Sequence, residues 1–175
     1  YYYKVNFDGT DFTNLTPSKG THSVTISDDY SLLVDTYSTT TEPPITVLRN
    51  RFGEKIMDLE IADISELKEK NWQAPVEFSV KARDGKTDLY GIMCLPSHYN
   101  ANKKYPVLNY IYPGPQSGSI GNFGFRPVWR DFQAVAELGF VVVAVDAMGT
   151  PMRSKSFHDA YYGNMGDNGL PDNIT

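Results

Sequence analysis

Tyr105-Pro-Val-Leu-Asn-Tyr-Ile-Tyr112-Pro-Gly-Pro115 is the stretch whose reading decides the fold. Val107, Leu108, Tyr110, Ile111 and Tyr112 form a nearly unbroken run of β-formers, which suits a strand covered on both faces, as in a helix-flanked parallel sheet. The run stops at Pro113-Gly114-Pro115, where two prolines remove backbone donors and the glycine admits positive φ. A loop rich in Gly and Ser follows from Gln116 to Gly124, then a helical pattern (Val128, Phe132, Val135, Ala136), then a second apolar strand from Phe140 to Asp146. Strand, loop, helix, strand is the crossover of an α/β sheet, where functional groups gather just past the carboxyl ends of the strands. Tyr112 stands at such an end.

Working outward, Val76–Lys81 and Thr87–Leu95 read as two strands joined by the tight turn Arg83-Asp-Gly-Lys86. A loop from Pro96 to Asn102 leads into the central strand, residues 105–112. After the strand at 140–146 the chain breaks at Gly149-Thr-Pro151. Residues 152–162 are either irregular or one helix, 163–169 form a loop, and Pro171 fits the first turn of a final helix. An antiparallel pair followed by a parallel crossover is a mixed α/β sheet. This order matches the opening half of an α/β-hydrolase, in which the loop after the third strand supplies an oxyanion donor. Counted from residue 76, that loop is 113–127.

Residues 1–60 read instead as short antiparallel strands, at 1–7, 11–16, 21–27, 31–38, 44–50 and 55–60. Turn signals such as Asp8-Gly9, Ser27-Asp-Asp29 and Phe52-Gly-Glu54 separate them. Val24 to Val34 has the form of a strand, an Asp-containing turn and a second strand, a unit that propellers repeat about every 40–50 residues. There is room for one blade and part of another, whereas a complete propeller needs roughly 4–8. A short helix at 64–71 follows, and the pattern changes from polar-turned hairpins to longer apolar runs. The expected organisation is thus 1–62 as a partial propeller blade, 63–75 as a linker and 76–175 as the N-terminal part of an α/β-hydrolase sheet.

Composition narrows the classes. A hydrophobic content of 41% supports a real core, and the net charge of −5 with no basic patch argues against nucleic acid. No apolar run approaches the roughly 18 residues of a membrane span. The single cysteine, Cys94, rules out an intrachain disulfide and reads as a buried core thiol. The chain begins in what reads as mid-strand and ends as a helix starts, so it is taken as part of a longer protein.

Several motifs in order now resemble one family. Ala82-Arg-Asp-Gly-Lys-Thr-Asp-Leu-Tyr-Gly91, Lys103-Lys-Tyr-Pro-Val107, Tyr112-Pro-Gly-Pro115, Asp146 with Gly149-Thr150, and Tyr162-Gly-Asn-Met-Gly166 are similar to the dipeptidyl peptidase IV branch of the prolyl oligopeptidase family. Upstream, Gly20-Thr-His-Ser-Val24 and Val34-Asp-Thr-Tyr-Ser38 resemble its last propeller blade. The resemblance implies a serine peptidase with a propeller capping an α/β-hydrolase domain, secreted or periplasmic, releasing N-terminal dipeptides of the Xaa-Pro kind and needing no cofactor. It implies that Tyr112 lends its hydroxyl to the oxyanion hole. Two departures stand out. Pro113 replaces the usual Gly or Ala and is expected to stiffen the loop. Asp146-Ala-Met148-Gly-Thr lacks the family's arginine, which puts a local salt bridge in doubt.

Acyl transfer from serine needs a nucleophile, a base, an orienting acid and oxyanion donors. No Gly-X-Ser-X-Gly elbow is present, and Ser117 in Gly114-Pro-Gln-Ser117-Gly118 has the wrong spacing. By family order the Ser-Asp-His triad lies beyond Thr175, so this piece alone is expected to be inactive. The plainer readings are that Tyr112 is a strand-end aromatic, that Asp146 bonds a loop, that His22, His98 and His158 have surface or capping roles, and that Tyr1-Tyr2-Tyr3 is blade strand. An esterase-type α/β-hydrolase and a non-catalytic β-rich binding module remain alternatives. The expected partners are a peptide substrate in the full-length parent and, through an open sheet edge, a second copy of the chain.

Overall fold

The computed structural model describes residues 1–112, 114–166 and 169–175. They form two compact units. The first comprises Tyr1–Trp72 and Asn122–Pro127, the second Gln73–Gly121 and Val128–Thr175.

The first unit is almost entirely antiparallel β. A two-stranded ribbon pairs β1 (Tyr3–Lys4) with β2 (Thr13–Asn14). Between them Gly9, at φ 85°, turns the chain, with the Gly9 N–H bonded to the Asn6 carbonyl (2.9 Å). Only these four residues pair, so the strands expected at 1–7 and 11–16 are far shorter, and Tyr1 and Tyr2 lie outside them. The four-stranded sheet runs β3 (Thr21–Ile26), β4 (Leu32–Ser38), β5 (Ile45–Asn50), β6 (Lys55–Ile61), each strand beside the next. At the β3–β4 turn Asp29 accepts the hydroxyls of Ser27 (2.6 Å) and Ser31 (2.8 Å) and the Ser31 N–H (3.1 Å). These bonds replace the ladder where the chain reverses. The core holds Leu33 and Val47 but also fully buried charge. Asp35 accepts from Arg49 Nε and faces His22 Nδ1, each at 2.8 Å, while the other ring nitrogen lies 2.8 Å from the Ser18 carbonyl. His22 therefore corrects the surface reading. Its partners come from separate segments, which no local pattern reveals. The segment 122–127 belongs to this unit through Phe125 N–H to Ser38 Oγ (2.9 Å) and Trp72 Nε1–H to the Pro127 carbonyl (2.8 Å). The short helix α1 (Ser65–Glu69) follows β6.

The second unit is built on a mixed sheet of β7 (Val76–Lys81), β8 (Asp88–Cys94), β9 (Val107–Tyr110) and β10 (Val141–Val145), in the order β7-β8-β10-β9. β8 runs antiparallel to both of its neighbours, β7 and β10, and β9 runs parallel to β10. A parallel pair needs a crossover, and α2 (Phe132–Glu137) lies on it. The helix starts later than the pattern from Val128 suggests because Arg130 has φ 50°, which a continuing helix cannot hold. Ala82, Leu89, Val145 and Phe157 form a buried cluster, against which Phe78 and Met148 pack. Two further short helices follow, α3 (Lys155–His158), capped by the Ser154 hydroxyl, and α4 (Leu170–Ile174), with proline in its first turn.

One expectation about the central strand is corrected. β9 is a four-residue edge strand, and Val107 and Leu108 are 64% and 39% exposed. A run of β-formers cannot by itself tell a central strand from an edge one, because the neighbours decide that. The expectation concerning Pro113 lies outside the described residues, as does part of the 163–169 loop. Among the described residues no helix is long and apolar enough to cross a membrane.

Candidate functional site

The β9 ladder ends at Tyr110, opposite Ala144, so Ile111 and Tyr112 project beyond the sheet. The Tyr112 N–H leaves the ladder and bonds the Ser119 hydroxyl (3.1 Å). The Tyr112 side chain is 46% exposed. Among the described residues its phenol hydroxyl has no hydrogen-bond partner. A phenol donates one proton and accepts through its oxygen. This one is placed at a strand end with its donor uncommitted.

Three groups hold the loop that follows. Ser119, itself buried, takes the Tyr112 N–H. Asp146, just past β10, accepts the Ile120 N–H at Oδ1 (3.0 Å). Its carboxylate also fills the space beside Gly118, where a Cβ would stand 2.5 Å from Oδ1 and the carboxylate would have to move aside. Asp146 thus bonds a loop, in line with its plainer reading. The third group is His158, whose Nε2 lies 2.8 Å from the Pro115 carbonyl oxygen. The contact is solvent-exposed, so the surface position expected for His158 stands, but the ring there holds a loop carbonyl from a distant segment. The signal was out of reach because His158 and Pro115 are 43 residues apart.

Tyr112, Ser119, Thr150, Tyr161 and Asn173 line a common depression at this end of the sheet. Beneath it lies Tyr161, 5% exposed, whose hydroxyl is buried with no partner among the described residues. Burial pushes its phenol above the ordinary tyrosine range. The ring occupies the place a Cβ at Gly149 would need, 1.7 Å from Cε1.

A second buried polar cluster, in this unit, was not foreseen. Asp172 on α4 is fully buried and accepts from the Met148 N–H (3.0 Å), the Arg83 N–H (2.9 Å), Arg83 Nε (3.0 Å) and Arg83 Nη2 (3.3 Å). Position 148 carries no guanidinium, yet its backbone reaches this carboxylate, and the cation comes from the β7–β8 turn instead. The remaining sequence candidates stay apart. His98 is exposed and 3.8 Å from Glu137. Among the described residues Ser117 Oγ bonds only the neighbouring Gly118 carbonyl (3.2 Å). Cys94 is buried in β8, and burial pushes its thiol up to about 11. Among the described residues no group of three His, Cys, Asp or Glu could hold a metal ion.

Comparison with known proteins shows what the chain is similar to. The prolyl oligopeptidase family matches residues 127–175. A protein named "Probable dipeptidyl-aminopeptidase B" from Emericella nidulans is 32% identical over 172 residues, covering 94% of this chain and 18% of that protein. The prolyl endopeptidase FAP of Mus musculus is 32% identical over 133 residues, 75% of this chain and 17% of that one. Among solved structures, a candidate dipeptidyl aminopeptidase IV from Bacteroides ovatus superposes with a TM-score of 0.82 at 26% identity, over 98% of this chain and 25% of that chain. The chain therefore spans about a fifth of the length of the curated relatives it matches.

Proposed function

The chain belongs to the dipeptidyl peptidase IV branch of the prolyl oligopeptidase family, and from that premise we propose that it is part of a serine peptidase that releases N-terminal dipeptides, with Tyr112 as an oxyanion donor. In this reading the β3–β6 sheet is the last blade of a propeller, and residues 76–175 open an α/β-hydrolase domain. Serine, aspartate and histidine of the triad are supplied by parts of the parent outside these residues, so the isolated chain does not turn over peptide.

The observation that carries the reading is the Tyr112 phenol. It stands past the carboxyl end of a parallel strand, half exposed, with an uncommitted hydroxyl. The backbone behind it is fixed by Ser119, and the loop beyond by Asp146. An oxyanion donor must be aimed before charge develops on the carbonyl oxygen, because reorganising it during reaction cancels the gain. The chain's own contribution is therefore a pre-aimed O–H that strengthens its hydrogen bond as the substrate carbonyl becomes tetrahedral.

The test is Tyr112→Phe in the full-length parent, assayed on a Gly-Pro anilide. Loss of one such donor costs about 10²–10³ in kcat. Full turnover by the variant would remove Tyr112 from the mechanism. The edges also bear on partners. β6 exposes Ile56, Met57, Leu59 and Ile61, and β9 exposes Val107 and Leu108. Both strands end their sheets, which supports self-association of the isolated chain, readable by light scattering across a concentration series.

A further inference from the structure

The loop after Tyr112 opens with Pro113-Gly114-Pro115, so of these three residues only Gly114 has a backbone N–H. A segment so poor in donors has to be held largely by its carbonyls. The structure provides one such hold on the near side of the loop, His158 Nε2 on the Pro115 oxygen at 2.8 Å. A carbonyl only accepts, so Nε2 is the donor. Ser119 and Asp146 act elsewhere, on the Tyr112 backbone and at Ile120.

The imidazole is mounted on a fixed support. Helix α3 begins with the Ser154 hydroxyl accepting the Phe157 N–H (3.3 Å). Phe157, the residue before His158, is 4% exposed and packed with Ala82, Leu89 and Val145. Its carbonyl accepts the Gly149 N–H (2.8 Å), and the Arg153 guanidinium lies 4.1 Å over its ring. A donor next to a core-packed residue therefore reaches a carbonyl of the loop that follows Tyr112.

We propose that His158 is a positioning residue for the oxyanion donor. Its grip on the Pro115 carbonyl limits the swing of the loop and keeps the Tyr112 hydroxyl on the path of the developing oxyanion. This inference rests on the reading of Tyr112 given above. It assigns His158 no contact with substrate and no proton transfer in the reaction.

The test is a double-mutant cycle in the full-length parent on a Gly-Pro anilide, with His158→Ala, Tyr112→Phe and their combination, and His158→Gln as a donor-retaining variant. His158→Ala is expected to lower kcat about tenfold with KM within about twofold, the signature of a donor misplaced by a fraction of an ångström. The Gln side-chain amide can donate to the same carbonyl, so His158→Gln recovers most of the loss. Added to Tyr112→Phe, His158→Ala costs less than about twofold more, because there is no longer a hydroxyl to aim. Turnover within about twofold of wild type in His158→Ala, a loss that persists undiminished in the Tyr112→Phe background, or failure of Gln to rescue would each overturn the proposal. If Tyr112→Phe alone keeps full turnover, the oxyanion reading itself fails and this inference with it. A slow Tyr112→Phe beside a normal His158→Ala overturns only the role of His158.

Discussion

Replacing Asp172 with alanine removes the carboxylate that ties α4 to the β7–β8 turn and to the segment after β10. Its side chain is fully buried, while that of Arg83 is 28% exposed. The change takes the counter-charge from beside the guanidinium and leaves the Arg83 and Met148 N–H groups facing a void. Removing one partner of a buried pair costs about 3–5 kcal/mol. Partial access of water to Arg83 argues for the lower end, about 3 kcal/mol. Asp172→Asn keeps an acceptor oxygen for the amides and should cost less, about 1–2 kcal/mol. The chain has two tryptophans. Trp72 lies in the first unit and Trp129, 5% exposed, in the second. In a Trp72→Phe background, urea unfolding followed by fluorescence reports on the second unit alone. With a slope of about 1.5 kcal/mol per molar urea, a 3 kcal/mol loss moves the midpoint down by about 2 M. A shift below about 0.3 M for Asp172→Ala, or equal shifts for Ala and Asn, would refute the view that this carboxylate anchors the unit.

Three further outcomes follow from particular contacts. Gly149→Ala places a Cβ 1.7 Å from the Tyr161 ring at φ 96° and should destabilise the second unit by about 2–4 kcal/mol, measured by the same unfolding assay. Cys94, its thiol raised to about 11 by burial, should resist iodoacetamide at pH 8 in the native chain and react readily in denaturant; equal rates would contradict its burial. The thiol's folded value lies above the unfolded value of about 8.5, so its stabilising contribution holds below that pH and fades as pH rises towards 11. Asp29 and Asp84 are held down at about 2, by the Ser27 hydroxyl and the Thr87 hydroxyl respectively. Their contribution is present above the unfolded value of about 3.9 and is lost as pH falls towards 2. Carboxyl NMR titration should show both midpoints well below those of free aspartate.

The strands and turns were legible because their signals are local. Asp8-Gly9, the Asp29 turn and the Asp84 turn each carry their own hydrogen-bonding side chains, and the alternation from Thr21 to Asn50 needs only nearest neighbours to be read. The central run misled in one respect. Val107 and Leu108 are as apolar as any core residue, but no strand among the described residues covers their outer side. At the site, the place of Tyr112 past a strand end could be read from the proline-glycine stop. Its supports could not. Asp146 reaches Ile120 across 26 residues, His158 reaches Pro115 across 43, and Arg83 reaches Asp172 across 89. Such pairings depend on how the crossover folds back, and no spacing rule in one sequence encodes them.

The six residues Asn122–Pro127 lie within the loop that follows Tyr112, yet they are part of the first compact unit. The polypeptide therefore passes from one unit to the other three times rather than once. Anyone trimming this protein into pieces with a single scission after Trp72 would leave the upstream product without the strand-end cover that Phe125 gives Ser38, and without the acceptor of the Trp72 indole. A faithful excision would have to graft that hexapeptide back, for instance through a short glycine-serine bridge.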